Sequence, residues 1–344
     1  MKLKRISSLL IVTLLMTTIV IGCGSEQSED DTTDPITQTN RVAMVTDVGG
    51  VQDQSFNQAA WEGLQKAEND FGIDVAYRES NQEADYEPNI DDLVNAGYDF
   101  IWGVGFKMAD AIQEASFNYP DQLFGVIDYS YGEETPENVI GVIFKEEEAS
   151  YLVGLIAGEM TETNRIGFLA GMDSDVIRRF QYGFYAGVMD ANPDAELLYQ
   201  DANSFDDEAL GKSIANQFYQ QGADIIFHAA GATGTGMIEA AREQDRWAIG
   251  VDRDQNYLAP DHVLTSAMKG VDLAVYEVAE QLKDGTFEGA QTIVYGLAEG
   301  GVDIAPTSDK NVPEEILQRV EEAKQQIING EIDVPATREE FEAR

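Results

Sequence analysis

The chain has 344 residues and carries 63 acidic side chains against 22 Lys and Arg, a formal net charge of −41, with two histidines and a single cysteine. A surface of that sign repels nucleic acid and anionic lipid headgroups, so no nucleic-acid partner is expected. Two histidines without a second cysteine leave no ordinary zinc site, and no Gly-x-Ser-x-Gly elbow accompanies them, so no metal, cofactor or serine-hydrolase chemistry is expected either.

The first residues are Lys2, Lys4 and Arg5, followed by an apolar run from Ile6 to Ile21 and then Gly22-Cys23. A bilayer span needs about 20 apolar residues, so this reads as a secretory leader. The Val20-Ile21-Gly22-Cys23 ending resembles a bacterial lipobox, in which the cysteine becomes the lipidated first residue. Residues 1–22 are therefore expected to be a lipoprotein signal peptide and Cys23 a lipid anchor on the outer face of the cell membrane. The competing reading is an ordinary cleaved leader with a stray cysteine. Residues 23–40 are poor in apolar side chains and read as a flexible acidic stalk. The acids are spread through every segment, which fits a saline or alkaline exterior, where salt screens self-repulsion; family drift toward an acidic surface fits as well.

From Arg41 on the chain is too long for one ordinary core, and two lobes are expected. Short apolar runs alternate with helical stretches, the mark of parallel sheets flanked by helices. Strands are predicted at Val42 to Thr46, Val75 to Arg78, Phe100 to Val104, Leu123 to Ile127, Val139 to Ile143, Ile166 to Ala170, Leu197 to Gln200, Asp224 to His228 and Trp247 to Val251. Amphipathic helices are predicted at Asn57 to Asp70, Glu146 to Thr161, Val176 to Ala191 and Glu208 to Gln220. The run Asn95-Ala-Gly-Tyr-Asp-Phe-Ile-Trp-Gly-Val-Gly105 has the pattern of Gln220-Gln-Gly-Ala-Asp-Ile-Ile-Phe-His-Ala-Ala230, and Asp99 and Asp224 follow the opening strands of the two halves at nearly equal distance. This points to an internal duplication. After Asp252 come a strand at Val263 to Met268, a helix at Val271 to Leu282, a strand near Thr292 to Tyr295 and a helix at Pro313 to Asn329. Three crossings between the lobes would place these pieces and form a hinge. The expected division is an N-terminal lobe of residues 41–145 and 256–290 and a C-terminal lobe of residues 146–255 and 291–344.

In open parallel sheets ligands bind beyond the carboxyl ends of the strands. Asp47, Asp128, Phe205, Gly231, Asp252 and Lys269 follow or end predicted strands, and Phe56 and Asn57 open the first helix, with Ser55 as a plausible cap. Phe56 and Phe205, from opposite lobes, could sandwich a flat ring. Asp252 could accept from neighbouring ribose hydroxyls, Lys269 offers a donor, and Asn57 and Asp128 can read ring nitrogens and exocyclic groups. One cation among several carboxylates suits a neutral nucleoside better than a nucleotide. For any single residue, a core or turn role competes. His228 falls within a strand, where a packed or hydrogen-bonded role is the common one. Glu146-Glu147-Glu148 reads as a solvated helix start. The run Gly231-Ala-Thr-Gly-Thr-Gly236 has the order G-x-x-G-x-G, not the dinucleotide order, and suggests close backbone approach to a ligand at a helix N-terminus.

The runs Asp53-Gln-Ser-Phe-Asn-Gln58, Ile166-Gly-Phe-Leu-Ala-Gly-Met172, Gly231 to Gly236, Gly250-Val-Asp-Arg-Asp-Gln255 and Val263-Leu-Thr-Ser-Ala-Met-Lys269 resemble those of the basic membrane protein family, the substrate-binding lipoproteins of nucleoside ABC transporters. The resemblance spans Arg41 to the C-terminus. It implies an α/β type I periplasmic-binding-protein fold, two Rossmann-like parallel-sheet lobes with a hinge, closing as a monomer on a purine nucleoside and delivering it to an ABC permease. It also implies Phe56 and Phe205 on the base, Asn57 and Asp128 on its edge, Asp252 and Lys269 on the ribose, and Asp47 and Gly231 completing the pocket. Ala232 stands where the family usually has glycine. A sensory or regulatory lipoprotein could use the same pocket. A nucleoside hydrolase would need an aspartate cluster that Asp47 and Asp53, separated by Val48-Gly-Gly-Val-Gln, do not form.

Overall fold

The computed structural model describes residues 41–344; Cys23, the leader and the stalk lie outside the described residues. The predicted alternation is present. In chain order the elements are β1 (Arg41–Thr46), α1 (Phe56–Phe71), β2 (Asp74–Arg78), α2 (Tyr86–Asn95), β3 (Phe100–Val104), α3 (Ala109–Asn118), β4 (Leu123–Ile127), β5 (Val139–Phe144), α4 (Glu146–Met160), β6 (Arg165–Ala170), α5 (Asp175–Ala191), β7 (Glu196–Asp201), α6 (Glu208–Gln220), β8 (Ile225–Ala229), α7 (Gly231–Gln244), β9 (Trp247–Asp252), β10 (Val263–Lys269), α8 (Val271–Asp284), β11 (Gln291–Tyr295), β12 (Val302–Ile304), α9 (Glu314–Ile328) and α10 (Arg338–Glu342).

Two six-stranded sheets result, ordered β11-β5-β4-β3-β1-β2 and β12-β10-β9-β8-β6-β7. The duplication is therefore architectural: β1 to β5 and β6 to β10 are laid out identically. Each sheet is completed by one strand from the C-terminal part, β11 parallel to β5 and β12 antiparallel to β10. The central strands β3 and β8 are buried along their whole length, as expected for strands covered by helices on both faces. Helix α1 buries Asn57, Ala59, Ala60, Gly63, Leu64 and Ala67, a stripe at helical spacing, and ends at Gly72 in the left-handed conformation.

The division into lobes differs from expectation in two segments. Residues expected in the N-terminal lobe from 256 onward include β10, which pairs with β9 in the second sheet. Residues 291–295, expected in the C-terminal lobe, form β11 of the first. Periodicity reveals an element but not the sheet it joins, because pairing is decided by long-range register. The three crossings lie at Lys145, at Gly270 and at residues 296–301. They are tied together: Lys145 N–H donates to Tyr295 O at 2.9 Å and Gly270 N–H to Gly301 O at 2.7 Å.

Helices α4 and α5 touch backbone to backbone. A Cβ on Gly187 would fall 2.1 Å from Tyr151 O, and one on Gly183 would fall 2.3 Å from Glu147 O. This close approach fixes the start of α4 against α5, beside the cleft. Among the described residues no helix is long and apolar enough to cross a membrane.

Candidate binding site between the lobes

A cavity of about 560 Å³, partly open to solvent, lies between the carboxyl ends of the two sheets. Asp47, Phe56, Asn57, Asp128, Phe205, Gly231, Asp252 and Lys269 all line it. Four come from each lobe. Lys269 is the one cation in its lining.

The loop before α1 builds the N-terminal side. Asp53 performs the capping expected of Ser55: its carboxylate accepts from the backbone N–H groups of Ser55, Asn57 and Gln58 at 2.9, 2.8 and 3.1 Å. Ser55 does not cap the helix. Its hydroxyl donates instead across the cleft to Asp252. The Asn57 side-chain nitrogen donates to Asp47 at 3.0 Å and to Asp53 at 3.1 Å, which fixes the orientation of the amide. Its buried Oδ1 is left without a hydrogen-bond partner. Such an acceptor is costly unless a ligand or water supplies the donor.

Asp128 and Asp252 occupy equivalent ends of β4 and β9, and both have left-handed backbones, with φ of 68° and 62°. Side chains other than glycine rarely adopt that region, and where they do the strain often marks a functional position. Gly231 also has a positive φ, 53°, and a Cβ there would crowd Phe205 O at 3.0 Å. The rest of its glycine run serves packing. Gly234 makes room for the His228 ring and Gly236 for the backbone of α6 at Glu208, and neither lines the cavity; nor does Ala232.

Lys269 is held in a buried charge cluster. Its ammonium hydrogen-bonds Asp128 Oδ2 at 2.7 Å and lies 2.9 Å from Glu146 Oε1, while Arg179 Nε donates to Glu146 Oε2 at 2.5 Å. The expectation of a solvated Glu146-Glu147-Glu148 is thus corrected: Glu146 is fully buried and Glu148 nearly so, its carboxylate accepting from Leu297 N–H at 2.7 Å. The tight α4–α5 contact and the chain crossing draw this turn inward. Burial alone would raise the Glu146 carboxyl, but the Lys269 and Arg179 cations outweigh it and hold the group below the usual range. Burial lowers the Lys269 ammonium, and Asp128, Glu146 and Asp252 more than reverse that. Burial pushes Asp47 and Asp252 up to about 7.

Phe106, Phe180, Val48, Val176 and Ile177 also line the cavity and were not anticipated. Phe106 sits two residues beyond β3, so the strand-end rule applied to β3 would have found it. Phe180 and its neighbours lie on α5, where no such signal exists. Phe106 and Phe205 meet edge to face, centroids 6.5 Å apart. Across the mouth the lobes are joined by Arg253 to both Glu62 oxygens at 2.8 and 2.7 Å and by Tyr257 Oη to Gln54 Oε1 at 2.5 Å. His228 has the structural role expected: burial lowers it to about 4, it is neutral, and Nε2 lies 3.0 Å from Gln255 Oε1. No cluster of His, Cys, Asp and Glu able to hold a metal occurs among the described residues.

The family model for Bmp, described as ABC transporter substrate-binding protein PnrA-like, matches residues 40–338. The chain belongs to this family. It is a substrate-binding protein of the ABC-transporter type and not an enzyme. It is 41% identical to the CD4+ T-cell-stimulating antigen of Listeria monocytogenes, over 96% of this chain and 99% of that one. It is 37% identical to the ABC transporter nucleoside-binding protein BmpA of Lactococcus lactis, over 97% and 99%. Among solved structures, an ABC transporter solute-binding protein from Aeropyrum pernix superposes with a TM-score of 0.80 at 29% identity, covering 88% of this chain and 95% of that one. A sugar ABC transporter binding protein from Bacillus halodurans shares the fold, with a TM-score of 0.60 at 15% identity over 78% of this chain and 99% of that one. The two parallel-sheet lobes are those of the type I periplasmic-binding-protein fold.

Proposed function

We propose that this substrate-binding protein is tethered outside the cytoplasm by lipid on Cys23, captures a neutral purine nucleoside in the inter-lobe cavity and passes it to a membrane permease. The observation that carries this reading is the combination of aromatic walls from both lobes with two polar groups on the cavity wall, the buried Asn57 Oδ1, which lacks a partner, and the Asp128–Lys269 pair. A base edge supplies N–H donors to the first and a ribose supplies hydroxyls to the second. In this reading Phe56 and Phe205 stack on the base, contacts worth ~1–3 kcal/mol each; Asn57 reads its edge with Asp47, to which it is hydrogen-bonded, and Asp128, which the resemblance put on the base edge, joins Asp252 and Lys269 on the sugar beside Gly231 because it is paired with that lysine. The name of the Lactococcus relative supports the nucleoside class.

A thermal-shift panel tests the ligand. Ligand that binds only the folded state raises the melting temperature by mass action. Purine nucleosides should raise it, and their monophosphates should need at least ~100-fold more ligand, because the phosphate charge meets buried carboxylates with one cation among them. Stabilisation by sugars or amino acids, with none by nucleosides, would overturn the reading. Anchoring is tested apart: Cys23→Ser should move the protein from membrane to soluble fraction, and a variant still in the membrane pellet refutes it. A regulatory role would use the same pocket; a solved structure described as a transcriptional activator of the comK gene, 25% identical with a TM-score of 0.72, favours that second reading. Loss of nucleoside uptake in a deletion strain separates the two.

A further inference from the structure

The cation on the cavity wall is not free to choose its direction. Lys269 Nζ has three N–H donors. One bonds Asp128 and a second faces Glu146, which leaves one for a ligand. Glu146 is buried on α4, directly after the crossing at Lys145, and its other oxygen is taken by Arg179 from α5. Helices α4 and α5 cannot slide here, because Gly183 lies against the Glu147 backbone. Arg179 also borders an outer groove with Asp173, Tyr182 and Arg338, so its far side stays near water while its Nε reaches inward. The cluster holds two cations and two anions. Taking any one away leaves a buried charge uncompensated.

We propose that Glu146 and Arg179, neither of which lines the cavity, are positioning residues for the sugar end of the site: Glu146 shares the Lys269 ammonium with Asp128 and Arg179 holds Glu146, so that the ammonium is fixed between two carboxylates with one N–H directed to a hydroxyl of the ligand. The ammonium lies 2.6 and 2.7 Å from the two Asp128 oxygens, so a single N–H can serve both. Without Glu146 the ammonium has Asp128 as its one close carboxylate, and nothing fixes the direction of its remaining N–H groups. Without Arg179, Glu146 carries its charge alone and competes harder for Lys269. The carboxyls facing this cluster are Asp128, Glu146, Glu147 and Asp252, and the cations are Lys269 and Arg179. Removing Arg179 raises Asp128 further and lifts Glu146 from its depressed position, since a cation that favoured their charged forms is gone.

This inference rests on the nucleoside reading. The experiment is calorimetry of the full chain with adenosine, inosine and their 2′,3′-dideoxy counterparts, at several pH values from 5 to 9, for wild type, Glu146→Gln, Arg179→Gln and Arg179→Lys, with melting curves alongside. Losing one charge-assisted hydrogen bond predicts a ribonucleoside affinity reduced roughly tenfold to 100-fold in Glu146→Gln and Arg179→Gln. The dideoxy compounds should lose much less. In Arg179→Gln the acid limb of the binding profile should move to higher pH, and Arg179→Lys should recover part of both effects. Lower melting temperatures with equal losses for both sugar types, or an unmoved acid limb, would reduce Glu146 and Arg179 to structural residues. Wild type that binds no nucleoside would instead overturn the function itself.

Discussion

The two lobes agree at the amino ends of their strands and part company at the carboxyl ends. At the amino ends, Arg41 begins β1 and Arg165 begins β6. Each guanidinium bonds carbonyls at the end of α2 or α6: Arg41 to Ala96 O and Gly97 O at 2.6 and 2.9 Å, Arg165 to Gln221 O at 2.5 Å. Each also pairs with the acid opening the next strand, Asp74 at 3.1 Å or Glu196 at 2.9 Å. At the carboxyl ends, β1 is followed by Asp47, but β6 is followed by Gly171, where a Cβ would lie 2.2 Å from the Phe205 ring. By the register with β4 and β9, Phe144 of β5 corresponds to Lys269 of β10. A duplicated scaffold therefore keeps its folding contacts twice, while at the carboxyl ends the matched pair Asp128 and Asp252 stands among residues that differ between the lobes. One lobe contributes an acid and the other leaves room for an aromatic ring; one has a phenylalanine where the other has a cation.

The largest break in that asymmetry is at Lys269. Lys269→Met leaves Asp128, Glu146 and Asp252 buried with Arg179 as the nearby cation, and breaking a buried ion pair costs about 3–5 kcal/mol. Nucleoside binding should fall by at least ~100-fold with it. The other lysine at a crossing, Lys145, is 44% exposed and pairs with Glu148. Lys145→Met should cost no more than about 1 kcal/mol and leave binding intact. Denaturant titration and calorimetry of both variants check this. Equal effects at the two crossings would mean that the cluster around Lys269 is worth no more than a surface pair.

The acids sharpen the comparison through pH. Asp47 in one lobe and Asp252 in the other are both pushed up to about 7, chiefly by burial. In the unfolded chain they titrate near 4. Between those values the folded protein holds protons that the unfolded chain has released, so each group takes stability away as pH rises from about 4 to about 7 and adds no further slope above that. The total is on the order of a few kcal/mol for a group shifted this far. Asp47→Asn and Asp252→Asn should each flatten the decline in unligated stability across this window, by similar amounts because the groups are equally buried. Urea midpoints from pH 4.5 to 8 measure it, and slopes unchanged in both variants would count against two protonated acids in the empty cleft.

Much of this arrangement was legible before the structure. The glycine-aspartate echo before β3 and β8 is the sequence trace of the matched amino ends, and the residues that follow the apolar runs, with the start of the first helix, led to eight residues of the cavity lining because element termini are readable from hydrophobicity. Three things were hidden. Glu146 and Arg179 are charged residues on helices, and a charge on a helix reads as solvent-facing until α4 and α5 are known to touch. The strand β12 is three residues long, too short for any alternation to show. Sheet membership of β10 and β11 depends on pairing between distant segments, which no local pattern carries. Asp53 was legible in principle, because an acid two residues before Ser55 and four before Asn57 is well placed to take the free N–H groups of a helix start.

The smallest expected effect tests the symmetric half of the comparison. If the amino ends are equivalent folding contacts, Arg41→Ala and Arg165→Ala should resemble each other more than either resembles a change in the cleft. Both side chains are substantially exposed, 36% and 46%, so water replaces part of what is lost. Each should lower the melting temperature by less than about 3 °C, consistent with one modest contact in a chain of this size. Nucleoside affinity should not change in either, because both residues lie at the opposite ends of the strands from the cavity. Arg41 carries one further contact, its guanidinium standing 4.2 Å from the centre of the Tyr98 ring. The Arg41 variant should therefore be slightly the weaker of the two. Melting curves and calorimetry on the pair measure this, and a loss of affinity in either would show that the amino ends are coupled to the cleft after all, so that scaffold and chemistry are not separable by strand end.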